Sequence, residues 1–175
     1  TVTVNLNDLL ENTAPSISLT NVVSTLAEDA NTSSAIKVAD IVITDDGIGT
    51  NDLTLSGAHA ASFEIVGTEL RLKAGAVLDF ETNPSLDVTV EVDDTTIGGA
   101  PDDSTAMSLS ITNSNDAPVL DNSGSMTLTP IFENDIDNGG TLVSDLIASA
   151  GGDRITDQDG DPEGIVVTGT DSSNG

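Results

Sequence analysis

The chain has 175 residues, and 4 Lys and Arg against 30 Asp and Glu give it a formal net charge of −26. Nucleic acids and anionic membranes bind basic surfaces, so this charge argues against both as partners. The lack of Cys excludes disulfides and thiolate zinc sites, and a single His argues against a multi-histidine metal site. Membrane insertion is not expected, since no apolar run approaches the roughly 18 residues that a spanning helix needs.

Short runs of alternating apolar residues predict β-strands along most of the chain. The strongest covers Leu86–Val92, where four aliphatic residues alternate with three polar ones. The other predicted strands, in chain order, contain Val2/Val4, Ile17/Leu19, Ile36/Val38, Ile41/Ile43, Phe63/Ile65, Leu70/Leu72 and Met107/Leu109/Ile111. Residues 142–150 are compatible with either a short helix or a strand. Many short strands separated by turn residues predict an all-β sandwich.

Similar landmarks occur twice along the chain. Asn5-Leu6-Asn7-Asp8, with Ala14-Pro15 after it, corresponds to Asn113–Asp116 followed by Ala117-Pro118. Acidic pairs follow both in the same order, at an offset of about 100 residues, the size of one sandwich domain. We therefore expect the last strand and linker of a preceding repeat in residues 1–14, a complete domain in 15–117, and part of a second domain in 118–175.

Four polar clusters carry the oxygen atoms that a calcium site requires, namely Glu28-Asp29, Asp79-Phe80-Glu81, Asn113–Asp116 and Asp157-Gln158-Asp159. Calcium takes six to eight oxygen ligands, mostly carboxylates and carbonyls. Two acids separated by one residue lie on the same side of an extended segment. Grouped carboxylates repel one another unless a cation neutralises them, so the pattern indicates a calcium site. The alternative is a set of solvated acidic turns and an Asx-turn before Pro118.

These residues resemble cadherin motifs. Leu78–Glu81 resembles the cadherin Leu-Asp-x-Glu motif, and Asn113–Pro118 resembles the linker between cadherin repeats, in the shortened form common in giant bacterial surface proteins. Glu28 stands where an early cadherin glutamate stands, and Val90–Asp93 resembles the Val-x-Ala-x-Asp element. Over about residues 15–118 the chain is similar to bacterial cadherin-like tandem repeats of large extracellular adhesins. The resemblance implies a Greek-key, cadherin- or immunoglobulin-like β-sandwich.

The resemblance also implies Ca²⁺ at the junctions between repeats. The downstream ligands would be Glu28, Asp79, Glu81, Asn115, Asp116, Asp157 and Asp159, with Asn113 at the position where cadherin linkers carry their first acid. The upstream ligands would be Asn7, Asp8, Asp45, Asp46 and Asp93. Asn113 lowers the charge of the downstream site, and the adjacent Asp45-Asp46 departs from the cadherin Asp-x-Asp spacing.

The function expected from this pattern is a non-catalytic, calcium-binding extracellular repeat that stiffens a long adhesin or fibre at the bacterial cell surface. Its partners would be neighbouring repeats of the same protein. Two alternatives remain open: a filament subunit that donates its first strand to a neighbour, and an accessory ligand-binding module of a secreted enzyme. A glycosidase role for Asp79 and Glu81 is not expected, because the chain has no Trp or Tyr to stack on sugars.

Overall fold

The computed structural model describes residues 11–152, 154–162, 164–166 and 168–169. Within it the chain forms two compact units, Thr1–Ser114 (unit 1) and Asn115–Gly175 (unit 2). The strand predicted at Val2 and Val4 lies outside the described residues, as do Asn7 and Asp8.

Unit 1 contains two four-stranded sheets. Its strands in chain order are β1 (Ser16–Thr20), β2 (Thr25–Ala27), β3 (Ile36–Thr44), β4 (Asn51–Ser56), β5 (Phe63–Val66), β6 (Glu69–Leu72), β7 (Ser85–Asp94) and β8 (Asp103–Thr112). The first sheet has the order β1-β3-β6-β5 and the second has the order β2-β8-β7-β4. Neighbouring strands are antiparallel except β2 and β8, which are parallel.

The core lies between the inward faces of the two sheets. Alternate residues of β7, such as Val88, Val90 and Val92, are buried, and Leu109 of the neighbouring β8 is also fully buried. Each such aliphatic side chain stabilises the fold by about 1.5–3 kcal/mol relative to its exposed state. The alternation in the sequence therefore encodes one buried face per strand, and the predicted all-β sandwich is confirmed.

The two short strands predicted around Ile36 and Ile43 are in fact the single strand β3. The pairing of β3 with β6 shifts register between Lys37 and Ala39, where the neighbours Val38 and Ala39 are both buried. This irregularity interrupts the apolar–polar alternation, because it places two consecutive side chains in the core. The predicted hairpin between Phe63 and Leu72 forms as β5 and β6.

Unit 2 has sparse secondary structure in its described part. It contains β9 (Val119–Leu120), the short helix α1 (Val143–Ala148) and β10 (Ile155–Thr156), and β9 pairs with β10 in antiparallel register. The helical alternative for residues 142–150 is thus the correct one. Arg154 forms an ion pair with Asp121 at 2.5 Å.

Candidate metal-binding clusters at the two ends of β7

Three predicted ligands meet at the end of the second sheet where β7 begins. Glu28 follows β2 directly, and Asp79 and Glu81 lie in the connection that leads into β7. Because β2 runs parallel to β8 and β8 antiparallel to β7, the ends of β2 and β8 and the start of β7 lie together. The backbone N–H of Glu28 donates to the carbonyl of Thr112 at 3.1 Å, which fixes Glu28 beside the end of β8.

Glu28, Asp79 and Glu81 each place a carboxylate oxygen within 4.8 Å of the other two. We call these three residues the Glu28 cluster. Glu28 and Asp79 are half-buried, whereas Glu81 is exposed. Three negative charges at this spacing repel one another, so the arrangement favours a bound cation that coordinates oxygen.

Backbone and side-chain donors hold the carboxylates of the Glu28 cluster in place. The Glu28 carboxylate accepts the backbone N–H of Phe80 at 2.7 Å and that of Ser114 at 2.5 Å. The amide of Asn113 donates to Glu81 Oε1 at 2.9 Å. Glu28 thereby joins the segment that carries the other two acids to the segment that leaves β8.

Asp79 is oriented by the turn that follows it. Its two carboxylate oxygens accept the backbone N–H and the hydroxyl of Thr82, both at 2.8 Å. This local turn is the geometry that the solvated-turn alternative expected, and it coexists with the convergence of the three acids.

A second cluster lies at the other end of β7, where that strand ends and β4 begins. We define the Asp94 cluster as Asn12, Asp45, Asn51 and Asp94. The predicted ligand Asp93 precedes Asp94 in β7, so its side chain points to the opposite face of the sheet. β7 is ten residues long, so at about 3.3 Å per residue roughly 30 Å separates this cluster from the Glu28 cluster. In the ladder between β4 and β7, Asn51 stands opposite Asp94.

Three oxygens of the Asp94 cluster are buried and have no hydrogen-bond partner within the described part of the chain. They are the Oδ1 atoms of Asn12, Asp45 and Asn51, and Asp93 Oδ1 on the other face of β7 is in the same state. Buried polar atoms are costly without a partner, and most are satisfied in folded proteins. One carboxylate and two amide oxygens, beside the charge of Asp94, are also a suitable donor set for a hard cation such as Ca²⁺.

Asp94 is the fully buried carboxylate of this cluster. Hydrogen bonds from the backbone N–H of Thr96 at 3.0 Å, the Asn12 amide at 2.8 Å and the backbone N–H of Thr50 at 3.2 Å, led by the Thr96 bond, lower its pKa to about 2. Asp94 is therefore ionised at neutral pH. The NH₂ group of Asn12 donates to Asp94 Oδ2. The other end of the amide, Asn12 Oδ1, remains able to accept a hydrogen bond or bind a cation.

Asp45 and Asp46, in the loop after β3, accept hydrogen bonds from Asn51 and Thr13. The Asn51 amide donates to Asp45 Oδ2 at 2.9 Å. Asp46 Oδ2 accepts the backbone N–H and the hydroxyl of Thr13, both at 2.8 Å. The backbone N–H of Ile48, followed by these bonds from Thr13, keeps the pKa of Asp46 below its usual value. The loop therefore fixes the chain segment that enters β1.

The remaining predicted ligands belong to unit 2. The backbone N–H of Asp116 donates to Asp159 Oδ2 at 2.5 Å, and that of Asp159 donates to Asp157 Oδ1 at 3.0 Å. The amide of Asn115 donates to the carbonyl of Asp116 at 2.8 Å. Asp116 and Asp157 line one surface recess. Among the described residues, however, no acidic trio besides the Glu28 cluster converges as closely.

The sequence reasoning missed Asn12, Asn51 and Asp94. A signal for Asp94 was present, because it continues the alternation of Val88, Val90 and Val92 and so occupies an inward-facing position. An acid at such a position indicates a buried, hydrogen-bonded carboxylate. Asn12 and Asn51 carry no comparable pattern, and only the fold brings them together.

Comparisons with solved structures identify the fold. Human mucin-like protocadherin EC1-2 is 18% identical over 83% of this chain and 63% of that one, with a TM-score of 0.53. The protocadherin gammaB7 EC3-6 cis-dimer structure is 21% identical over 74% and 35% of the two chains, with a TM-score of 0.47. A structure of protocadherin gamma B7 extracellular cadherin domains 1-4 is 26% identical over 57% and 24%, with a TM-score of 0.44.

The chain therefore has a cadherin-like β-sandwich fold. It spans less than two thirds of the length of each of these structures. No protein-family model matches the sequence, and no curated protein matches it significantly. None of the helices in the described part is both long and apolar enough to span a membrane.

Proposed function

We propose that this chain is a non-catalytic, calcium-binding extracellular repeat that stiffens a longer bacterial surface adhesin or fibre. The cadherin-like sandwich fold supports the proposal that the chain is such a repeat. The convergence of Glu28, Asp79 and Glu81 is the observation that carries the calcium assignment. The neighbouring repeats of the same protein would be its partners.

The Glu28 cluster fits a calcium ion by the chemistry of its donors. Three carboxylates offer up to six oxygens, and the ion would neutralise their mutual repulsion. Oxygens that lie within 4.8 Å of one another can each reach one ion at about 2.3–2.6 Å. Zinc fits less well, because it prefers Cys and His ligands and none belongs to the cluster.

The Asp94 cluster fits a cation by a different argument. Its three buried oxygens without a hydrogen-bond donor would each gain a partner from one bound ion. The ionised, fully buried Asp94 adds negative charge beside them. We therefore assign Asp45, together with the amide oxygens of Asn12 and Asn51, as a second calcium site. Calcium binding by Asp93 stays a prediction from the resemblance.

Calcium at these two sites would fix the segments by which the chain enters and leaves the sandwich of unit 1. Asn12 and Thr13 are bonded to the Asp94 cluster and its adjoining loop, and Asn113 and Ser114 are bonded to the Glu28 cluster. A cation would add to these hydrogen bonds and reduce motion at both ends. This restriction is the physical basis of the proposed stiffening.

Calcium binding by Asn115, Asp116, Asp157 and Asp159 stays a prediction from the resemblance. The recess that Asp116 and Asp157 both line supports it, since two acidic residues are grouped there. Asn7 and Asp8, which the resemblance also implies, stay predictions for the upstream junction.

Calcium titration of the whole chain by isothermal calorimetry, with thermal melts, tests the proposal. Ca²⁺ at about 100 times its Kd should stabilise the fold by about 2.7 kcal/mol for each site. Glu81→Gln removes one charge from the exposed side of the Glu28 cluster and should weaken calcium binding there by about tenfold or more. The matched control is Asp29→Asn, which removes a charge from an exposed residue next to Glu28.

The control variant should bind calcium as the native chain does. The proposal is wrong if the native chain shows no calcium-dependent heat or shift in Tm. It is also wrong for the Glu28 cluster if Glu81→Gln and Asp29→Asn weaken binding equally.

A further inference from the structure

The end of β4 contains a departure from regular sheet pairing. The last ladder pair of β4 and β7 is Ser56 with Thr89, so a ladder continued by two more pairs would place residue 58 opposite Asp87. The chain leaves the ladder at Gly57 instead, where φ is +102°. A Cβ on Gly57 would lie 3.4 Å from the Thr89 nitrogen and 3.5 Å from the Asp87 carbonyl oxygen. Glycine therefore lets the chain turn away while it stays in contact with β7.

His59 occupies the place that the ladder leaves empty. Its backbone N–H donates to the carbonyl of Asp87 at 3.0 Å. In return, the backbone N–H of Asp87 donates to Nδ1 of the His59 imidazole at 2.9 Å. The ring nitrogen thus replaces the carbonyl acceptor of a regular ladder pair. A 3₁₀ turn, Ala60–Ser62, follows directly and leads into β5.

This geometry sets the protonation state of the imidazole. Nδ1 accepts a hydrogen bond, so its lone pair is free of a proton and the ring hydrogen resides on Nε2. A proton on Nδ1 would remove the acceptor and place two N–H groups against each other. The bond between His59 and Asp87 therefore requires a neutral ring.

Several charged side chains belong to the elements that pack around His59. The 3₁₀ turn contacts β5 and β7, and Lys73 Nζ donates to the carbonyl of Ala61 within the turn at 2.7 Å. The titratable side chains of these neighbours at this end of the sheet are Glu64, Asp87, Glu91 and Lys73. Carboxylates ordinarily titrate near pH 4 and lysine near pH 10, whereas imidazole titrates between about pH 5 and 8.

We propose that His59 is a pH-sensitive latch that fastens the connection between β4 and β5 onto β7 at neutral pH and releases it in mild acid. His59 is the one histidine of the chain. The latch lies outside both the Glu28 cluster and the Asp94 cluster, so it does not depend on calcium. It gives this extracellular repeat a local response to acidification that leaves the core sheets paired.

Hydrogen exchange of the Asp87 amide, followed by NMR in the whole chain, tests the latch. The protection factor of this amide should fall about tenfold between pH 7.5 and pH 5.5, because its hydrogen-bond acceptor is lost. His59→Asn is the matched control, since its Oδ1 can accept at the same place without titrating. Its protection factor should be equal at the two pH values. His59→Leu should show low protection at both.

The ¹⁵N chemical shifts of the imidazole provide an independent measurement. At pH 7.5 they should show that Nδ1 carries no proton. The proposal is overturned if the native amide keeps its protection at pH 5.5, or if His59→Asn loses protection in parallel with the native chain. A ring that carries its proton on Nδ1 at pH 7.5 also contradicts it.

Discussion

The two acidic clusters of unit 1 stand at opposite ends of β7 and differ in how their oxygens are satisfied. In the Glu28 cluster, carboxylates at a partly exposed site accept hydrogen bonds from Phe80, Ser114 and Asn113. In the Asp94 cluster, one carboxylate is fully buried and hydrogen-bonded, and three neighbouring oxygens are buried without a donor in the described part of the chain.

This difference separates two ways in which a cation can stabilise a fold. At the Glu28 cluster an ion would chiefly relieve repulsion between partly solvated charges, and salt would screen that repulsion. At the Asp94 cluster an ion would chiefly provide partners for buried polar atoms, and salt screens buried groups less. We therefore expect calcium binding at the Glu28 cluster to weaken more steeply with ionic strength.

The largest expected effect comes from Gly49, which packs against Asp94. A Cβ at this position would lie 2.2 Å from Asp94 Oδ2, and φ is +87°. Because several hydrogen bonds hold Asp94 in place, it cannot move without breaking them. Gly49→Ala should lower Tm by about 10 °C or more.

Gly47→Ala is the matched control for this substitution. Gly47 has a similar φ of +83°, but nothing lies within 4 Å of the added Cβ. The Tm of the Gly47→Ala variant should be lower than that of the native chain by about 5 °C, because only backbone strain is added. Equal Tm values for the two variants, measured by calorimetry, would mean that the Asp94 carboxylate is not held as described.

Acid should remove the stabilisation that Asp94 provides. Its pKa falls from 3.8 in the unfolded chain to about 2 in the folded one, so the contribution is complete above about pH 4 and is lost as the pH falls toward 2. Thermal melts at pH 5, 3 and 2 should show this loss in the native chain. The Tm of the Asp94→Asn variant should fall less over the same pH range. If Tm changes with pH identically in both chains, ionised Asp94 does not stabilise the fold as described.

A smaller effect is expected from an added charge at the Asp94 cluster. Asn51→Asp places a new carboxylate beside Asp45 and opposite Asp94. Without calcium, repulsion should lower Tm by a few degrees, and with calcium the added ligand should tighten binding several-fold. Asn31→Asp is the control, because Asn31 uses its Oδ1 to accept the N–H of Ser33 within its own turn. If the two variants respond to calcium alike, the Asp94 cluster is not a cation site.

The sequence predicts six of the eight strands of unit 1, because those strands carry their own alternation, and it misses β2, which is only three residues long, and β4, which begins and ends with polar residues. It also predicts that Glu28 joins Asp79 and Glu81, because a resemblance to cadherin motifs orders residues that lie about 50 positions apart. The bulge in β3 and the use of Asn12 and Asn51 depend on contacts between distant strands. No local pattern encodes such contacts, so the sequence alone could not predict them.

Anomalous diffraction from crystals of the whole chain grown with calcium tests the central claim most directly. The account predicts a calcium peak about 2.3–2.6 Å from carboxylate oxygens of Glu28, Asp79 and Glu81. A second peak is expected at the Oδ1 atoms of Asn12, Asp45 and Asn51. Carboxylates of the Glu28 cluster that point apart into solvent in saturating calcium, with no peak between them, would contradict the account.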